Sequence, residues 1–144
     1  MNAPANKPAT WFWIVSVISL IWNLMGVMAF VMQVTMTEEA LQAMSEGERS
    51  LYTSLPAWTI VCFAIAVFGD TLASILLLLR KKLATMVFIV SFFFTLTQMI
   101  YNIFISDLVA VRGASAAVFP VVIIIAGILL IWFSRVSATK GWLK

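Results

Sequence analysis

The chain has 144 residues, 63% hydrophobic and 10% charged, with a net charge of +3 and a mean hydropathy of +1.08. Soluble domains run at about 45–50% apolar and about 25% charged. There are too few charged groups here to cover a water-facing surface. That excludes a soluble globular domain, a disordered chain, a coiled coil and a nucleic-acid binder, and leaves an integral membrane protein.

Four apolar runs follow in order, at 11–32, 57–79, 83–105 and 116–134. Each is close to the roughly 20 residues that cross about 30 Å of hydrocarbon. None alternates with period 2, so the spans are predicted to be helices. The first is longer than the roughly 7–15 residues of a signal-peptide core, and no A-x-A site follows it, so it reads as an uncleaved helix. The expected fold is all-α: one polytopic membrane domain over 1–144, an antiparallel bundle of four transmembrane helices.

Lysine and arginine placement predicts the orientation. Lys7, Arg80, Lys81, Lys82, Arg135, Lys140 and Lys144 fall on one side, and Arg49 and Arg112 on the other. The basic turn 80–82 and both termini are expected in the cytoplasm, as in a bacterial inner membrane. Trp11, Trp13, Trp58, Trp132 and Trp142 lie near span ends and are expected to form an interfacial aromatic belt.

The external loop 33–56 is acidic, with Glu38, Glu39, Glu46 and Glu48. Thr37 before Glu38 and Glu39 reads as a helix N-cap. Ser45 and Glu48 fit a capping box. Leu41, Met44, Leu51 and Leu55 are expected to lie on the membrane surface, in a short amphipathic segment. Pro56 suits the first turn of the second span.

The polar residues inside the spans carry the functional signal. Ser16, Ser19, Asn23 and Gly26 recur at helical spacing in the first span, with Gln33 beyond. Thr59, Cys62, Ala66, Gly69, Asp70, Ala73 and Ser74 share a face of the second. Ser91, Thr95, Gln98 and Asn102 share one on the third. The fourth has only small residues, Ala117, Pro120, Gly127 and Ser134. Such faces turn toward neighbouring helices. At a rise of about 1.5 Å per residue, Asp70 lies roughly 14 Å from the cytoplasmic edge, Asn23 roughly 18 Å and Gln98 roughly 22 Å. A single interhelical polar cluster around Asp70 is expected, made of Ser19, Asn23, Ser91, Thr95, Gln98 and Asn102, with Trp22 as a stacking surface.

Asp70 stands out. An acid at the bilayer centre costs roughly 2.5–3.5 kcal/mol on insertion scales, and no span contains a basic residue. It is therefore protonated, paired with amides or hydroxyls, open to a water-filled cavity, or bound to a cation. Two readings stay open. One is a proton or cation relay in transport, and the other is a neutral acid that locks helices together.

The remaining features read as packing. Met25, Met28, Met32 and Met36 form a stripe that could supply thioethers to copper(I). There is no histidine, and Cys62 is the sole cysteine, so the stripe reads as lipid-facing or interhelical packing. The same absences exclude histidine-ligated haem or metal and CxxC redox chemistry. No cofactor and no catalytic set is expected, so an enzyme is not the reading.

The strings Ile21-Trp22-Asn23-Leu24-Met25-Gly26, Arg80-Lys81-Lys82, Gln98-Met99-Ile100-Tyr101-Asn102 and Gly141-Trp142-Leu143 run in this order. With them the chain resembles a family of small four-helix bacterial membrane proteins, many labelled sugar transporters. That resemblance implies the same fold and a polar solute. The expected function is an oligomeric transporter or channel for a small polar solute or cation, with the bilayer as its surroundings. The alternative is a non-enzymatic accessory subunit of a larger membrane complex.

Overall fold

The computed structural model describes residues 6–144, and the elements described are helical throughout. In chain order they are α1 (Thr10–Val34), α2 (Glu38–Gln42), α3 (Glu46–Thr53), α4 (Ala57–Leu78), α5 (Leu83–Ile100), α6 (Leu108–Arg112) and α7 (Val118–Thr139). A π-helical turn, Tyr101–Ile105, continues α5, and a 3-10 turn, Ala114–Ala117, leads into α7. Four segments, Thr10–Val34, Ala57–Leu78, Leu83–Ile105 and Ala114–Thr139, are long and apolar enough to cross a membrane. The protein is a multi-pass membrane protein of the all-α class. Inside lipid a helix satisfies its own backbone, which is why such uniformly apolar runs take this form.

The fourth span departs from its expected limits, and the third changes character within limits that agree. The fourth runs on to Thr139, past the expected end at residue 134. Its extra turn carries Arg135 on an exposed face, where a long stem lets the charge reach the interface. The third span changes from α to π after Ile100.

The helices pack in sequence order: α1 on α4, α4 on α5, α5 on α7. Small residues set the close approaches. A Cβ on Gly26 would lie 3.2 Å from Val67 Cγ1, one on Gly127 would lie 2.6 Å from Phe92 Cδ2, and one on Gly69 would run into Ser91 Oγ. By contrast α1 and α7 do not pack closely along their length. They meet near the termini, where Phe12 stacks on Phe133 at 5.8 Å and Trp11 meets Phe133 edge-on at 5.5 Å. From that contact α1 continues to Val34, about 33 Å at 1.5 Å per residue. Helix α7 runs back only to Val118, about 22 Å. The bundle is therefore closed by packed aromatics at the end that holds the termini and more open toward the loops, where α1 and α7 touch through Trp22 and Phe119, 6.4 Å apart.

The closed end is clasped by the last residues. Helix α7 ends in a Schellman turn at Gly141 (φ 73°), in which Trp142 N donates to Ser137 O at 3.0 Å. The same turn ends α4: Lys81 N donates to Leu76 O at 2.8 Å and Arg80 N to Leu77 O at 2.9 Å. Here the left-handed position is Arg80 (φ 59°) rather than glycine. A side chain there is strained by roughly 1–2 kcal/mol. Hydrogen bonds hold it in place. Arg80 Nε donates to Trp142 O at 2.7 Å and Nη2 to Asn6 O at 3.0 Å, and Lys144 N donates to Arg80 O at 2.6 Å. Trp142 and Leu143 are buried against Phe12, Leu77 and Phe133. Trp142 thus belongs to the core and not to the interfacial belt. The other four belt tryptophans are exposed as expected. Lys140 Nζ sits over the rings of Trp142 and Trp11 at 5.0 and 5.6 Å.

At the open end the predicted caps are present. Thr37 Oγ1 accepts from Ala40 N at 3.2 Å and Ser45 Oγ from Glu48 N at 3.3 Å. The Glu48 side chain does not complete the capping box, because it pairs with Arg112. Arg49 closes α2 by donating to the carbonyls of Leu41, Gln42 and Met44. Pro56 sits just before α4, as its N-cap.

Candidate functional site

Between α1, α4, α5 and α7 lies a cavity of about 780 Å³. It exists because α1 and α7 separate above their aromatic contact. Three helices supply polar groups to its lining: Asn23 of α1, Asp70 of α4, and Gln98 with Asn102 from α5 and its π turn. Its walls are apolar, with Trp22, Met32, Phe63, Phe119 and Ile123 prominent. Tyr52, Arg112 and Ser115 border it on the loop side.

Local helix geometry explains the placement. Gly69 lies against Ser91, so Asp70, about 100° further round α4, turns away from α5 toward the cavity. One turn on, Ser74 is fully buried against α1. Asn23 Nδ2 donates to Ser74 Oγ at 2.7 Å and to the backbone carbonyl of Asp70 at 3.2 Å. Ser19 Oγ donates to Ser16 O at 2.9 Å and lies 3.3 Å from Ser74 Oγ. This ladder fixes the α1–α4 register beneath the cavity. It also orients Asn23, leaving the amide oxygen uncommitted.

The π turn does similar work on α5. A π turn inserts an extra residue and rotates the segment beyond it. Ser106 N donates to Tyr101 O at 2.9 Å, and Ser106 Oγ to Asn102 O at 2.7 Å. Both Asn102 and Ser106 face the cavity. Tyr101 is buried, edge-on to Trp58 at 5.3 Å.

The expected cluster is therefore divided. Trp22, Asn23, Asp70, Gln98 and Asn102 share the cavity. Ser19 lies below it, in the α1–α4 contact. Ser91 and Thr95 are buried on α5 away from it, with Thr95 Oγ1 donating to Ser91 O at 3.1 Å. Among the described residues, the side chains of Asp70, Gln98 and Asn102 make no hydrogen bond with the protein. No charged neighbour acts on the Asp70 carboxyl.

Sequence reasoning missed the loop contribution. Leu51 and Leu55, expected on the membrane surface, also border the cavity. Arg112 and Glu48 form a bidentate pair, with Nη2–Oε2 at 2.7 Å and Nε–Oε1 at 2.9 Å. The Arg112 guanidinium holds the Glu48 carboxyl below its usual range, and Glu48 in turn raises Arg112. The pair ties α3 to α6 across the loop side. Opposite charge 64 positions apart gives no local signal, so only the fold reveals it.

Among the described residues no three metal-binding side chains converge. Cys62 is half-buried and free. No family model, curated protein or solved structure matches the chain.

Proposed function

We propose that this multi-pass membrane protein binds a small polar solute or cation in the cavity and passes it across the bilayer, as an oligomeric transporter or channel. The observation that carries this reading is the Asp70 carboxyl. It lies in mid-span, next to Asn23, in a cavity that Gln98 and Asn102 also line and that is large enough for a solute. A buried acid whose task is to lock helices would commit its oxygens to neighbouring donors. Here the neighbouring donor, Asn23, is engaged by Ser74 and by the Asp70 backbone. The resemblance to small four-helix proteins of the bacterial inner membrane agrees with the reading. So does the basic end, which we assign to the cytoplasm. A homo-oligomer would complete the path that one copy of four helices leaves short.

Flux into proteoliposomes tests it, with protons, potassium, sodium, labelled glucose and the organic cation tetraethylammonium offered in turn. At least one should move, and Asp70→Asn should abolish that movement while the protein still assembles. Flux that is unchanged in Asp70→Asn refutes the assigned role.

A further inference from the structure

We propose that the cavity takes an amphiphilic organic cation, whose positive group lies against Asp70 and Trp22 and whose apolar body fills the wall toward α7. This deepens the reading above and rests on it.

The volume comes first. At about 780 Å³ the space falls among cavities of roughly 300–1,000 Å³ that enclose whole organic molecules. An alkali or divalent ion needs a tight shell of several oxygens, such as the six to eight at about 2.3–2.6 Å around calcium. One carboxylate at the end of a wide apolar chamber does not make that shell.

The distribution of polarity comes second. Asn23 and Asp70 lie at the inner end, Gln98 and Asn102 follow along α5, and the wall formed by Phe63, Phe119 and Ile123 offers no hydrogen bond. A sugar carries hydroxyls around its ring, and those facing this wall would lose their partners on entry. Each hydroxyl stripped of water and left unpaired opposes binding. A molecule with one polar end loses none.

Charge comes third. Arg112 on the loop side is neutralised by Glu48, so the group left to carry charge toward a ligand is Asp70, which a bound cation would hold in its ionised form. An anion would meet a carboxylate with no cation to offset it. A cation gains an ion pair in low dielectric and can also rest on the Trp22 face. Access fits too. The cavity lies beside the Trp22–Phe119 contact between α1 and α7, and the flanking Met25 and Phe119 are exposed apolar residues, so a lipid-soluble cation can enter from the bilayer by displacing the Phe119 ring.

The test is equilibrium dialysis of the full chain in detergent against protein-free micelles. The probes are tetraphenylphosphonium and tetraphenylborate, which match in size and differ in sign. Saturable binding of the phosphonium is expected, with at least tenfold weaker binding of the borate. Asp70→Asn should weaken phosphonium binding at least tenfold. Ile123→Trp, which fills the apolar wall and leaves Asp70 in place, should abolish it, and it serves if Asp70→Asn fails to assemble. Equal binding of the two probes, or phosphonium binding that survives Ile123→Trp, overturns the assignment. Asp70-dependent protection by glucose or an alkali cation, without phosphonium binding, overturns the amphiphile and leaves the broader reading standing. No Asp70-dependent binding by any probe overturns both.

Discussion

Gly69 offers a test of how the site is aimed, because the same substitution should change sign with its partner. The Cβ of Gly69→Ala would run into Ser91 Oγ and come within 3.2 Å of Ser91 Cβ. The hydroxyl can rotate away, but the Cβ contact can be relieved only by parting α4 from α5. Overpacking of this kind costs about 1–3 kcal/mol. Against it stands the helix preference of alanine over glycine, up to about 1 kcal/mol. The net expected effect is a loss of about 1–2 kcal/mol. In a Ser91→Gly background the obstruction is gone, since the next atom, Ser91 Cα, lies at 3.9 Å. There Gly69→Ala should stabilise by about 0.5–1 kcal/mol. Reversible unfolding in mixed micelles, run as a double-mutant cycle, measures both. The coupling should be near 2 kcal/mol, within the range of about 0.5–3 kcal/mol for residues in contact. Equal effects of Gly69→Ala in the two backgrounds would refute the claim that this contact sets the α4–α5 spacing and so the direction of Asp70.

Two further predictions concern the ends of the bundle. Arg80→Ala keeps a side chain at φ 59° and loses the hydrogen bonds to Trp142 and Asn6, whereas Arg80→Gly loses the same bonds but relieves the strain. Thermal unfolding should rank wild type above Arg80→Gly, and Arg80→Gly above Arg80→Ala by about 1 kcal/mol. The pairing of Glu48 with Arg112 should dock the loop in a pH-dependent way. A carboxylate lowered from its ordinary 4.5 contributes fully above that value, and the contribution is lost as pH falls through the lower folded value. Protection of the α3 amides, corrected for the intrinsic pH dependence of exchange, should therefore fall only in acid below about 4.5. Glu48→Gln should exchange quickly at every pH, and a wild-type loop indifferent to acid would break the argument.

How far the residues foretold the molecule depended on the range of the interaction. The four spans and the loop caps come from local rules, run length and side-chain capping, and both hold. Arg80 and Arg112 show where such rules end. As sequence they are topology charges. In the fold Arg80 anchors the chain terminus and Arg112 pairs with Glu48, each across more than 60 positions. Trp142 looked interfacial because it lies near a basic terminus, yet the turn at Gly141 carries it into the core. The π turn at Tyr101–Ile105 has no compositional mark, and with it the placing of Ser106 was out of reach.

The polar stripes posed a choice between glue and binding site that their hydrogen bonds decide residue by residue. Helical spacing puts Ser19, Asn23 and Asp70 in one layer and cannot say which of them is already engaged. Ser19 and Ser74 engage each other, and Thr95 is turned back onto its own helix. Those groups are satisfied and buried, which makes them glue. Asp70, Gln98 and Asn102 line the cavity at successive depths with their side chains uncommitted. Leaving polar groups without partners in a bilayer is costly, by about 1–3 kcal/mol each, so such a concentration needs water or a ligand to offset it. Asn23 belongs to both sets: its amide nitrogen joins α1 to α4, and its oxygen faces the cavity side. Through it a ligand at Asp70 would be linked to the α1–α4 register. Movement of α1 against α4 on binding is thus the conformational change this arrangement would most directly permit.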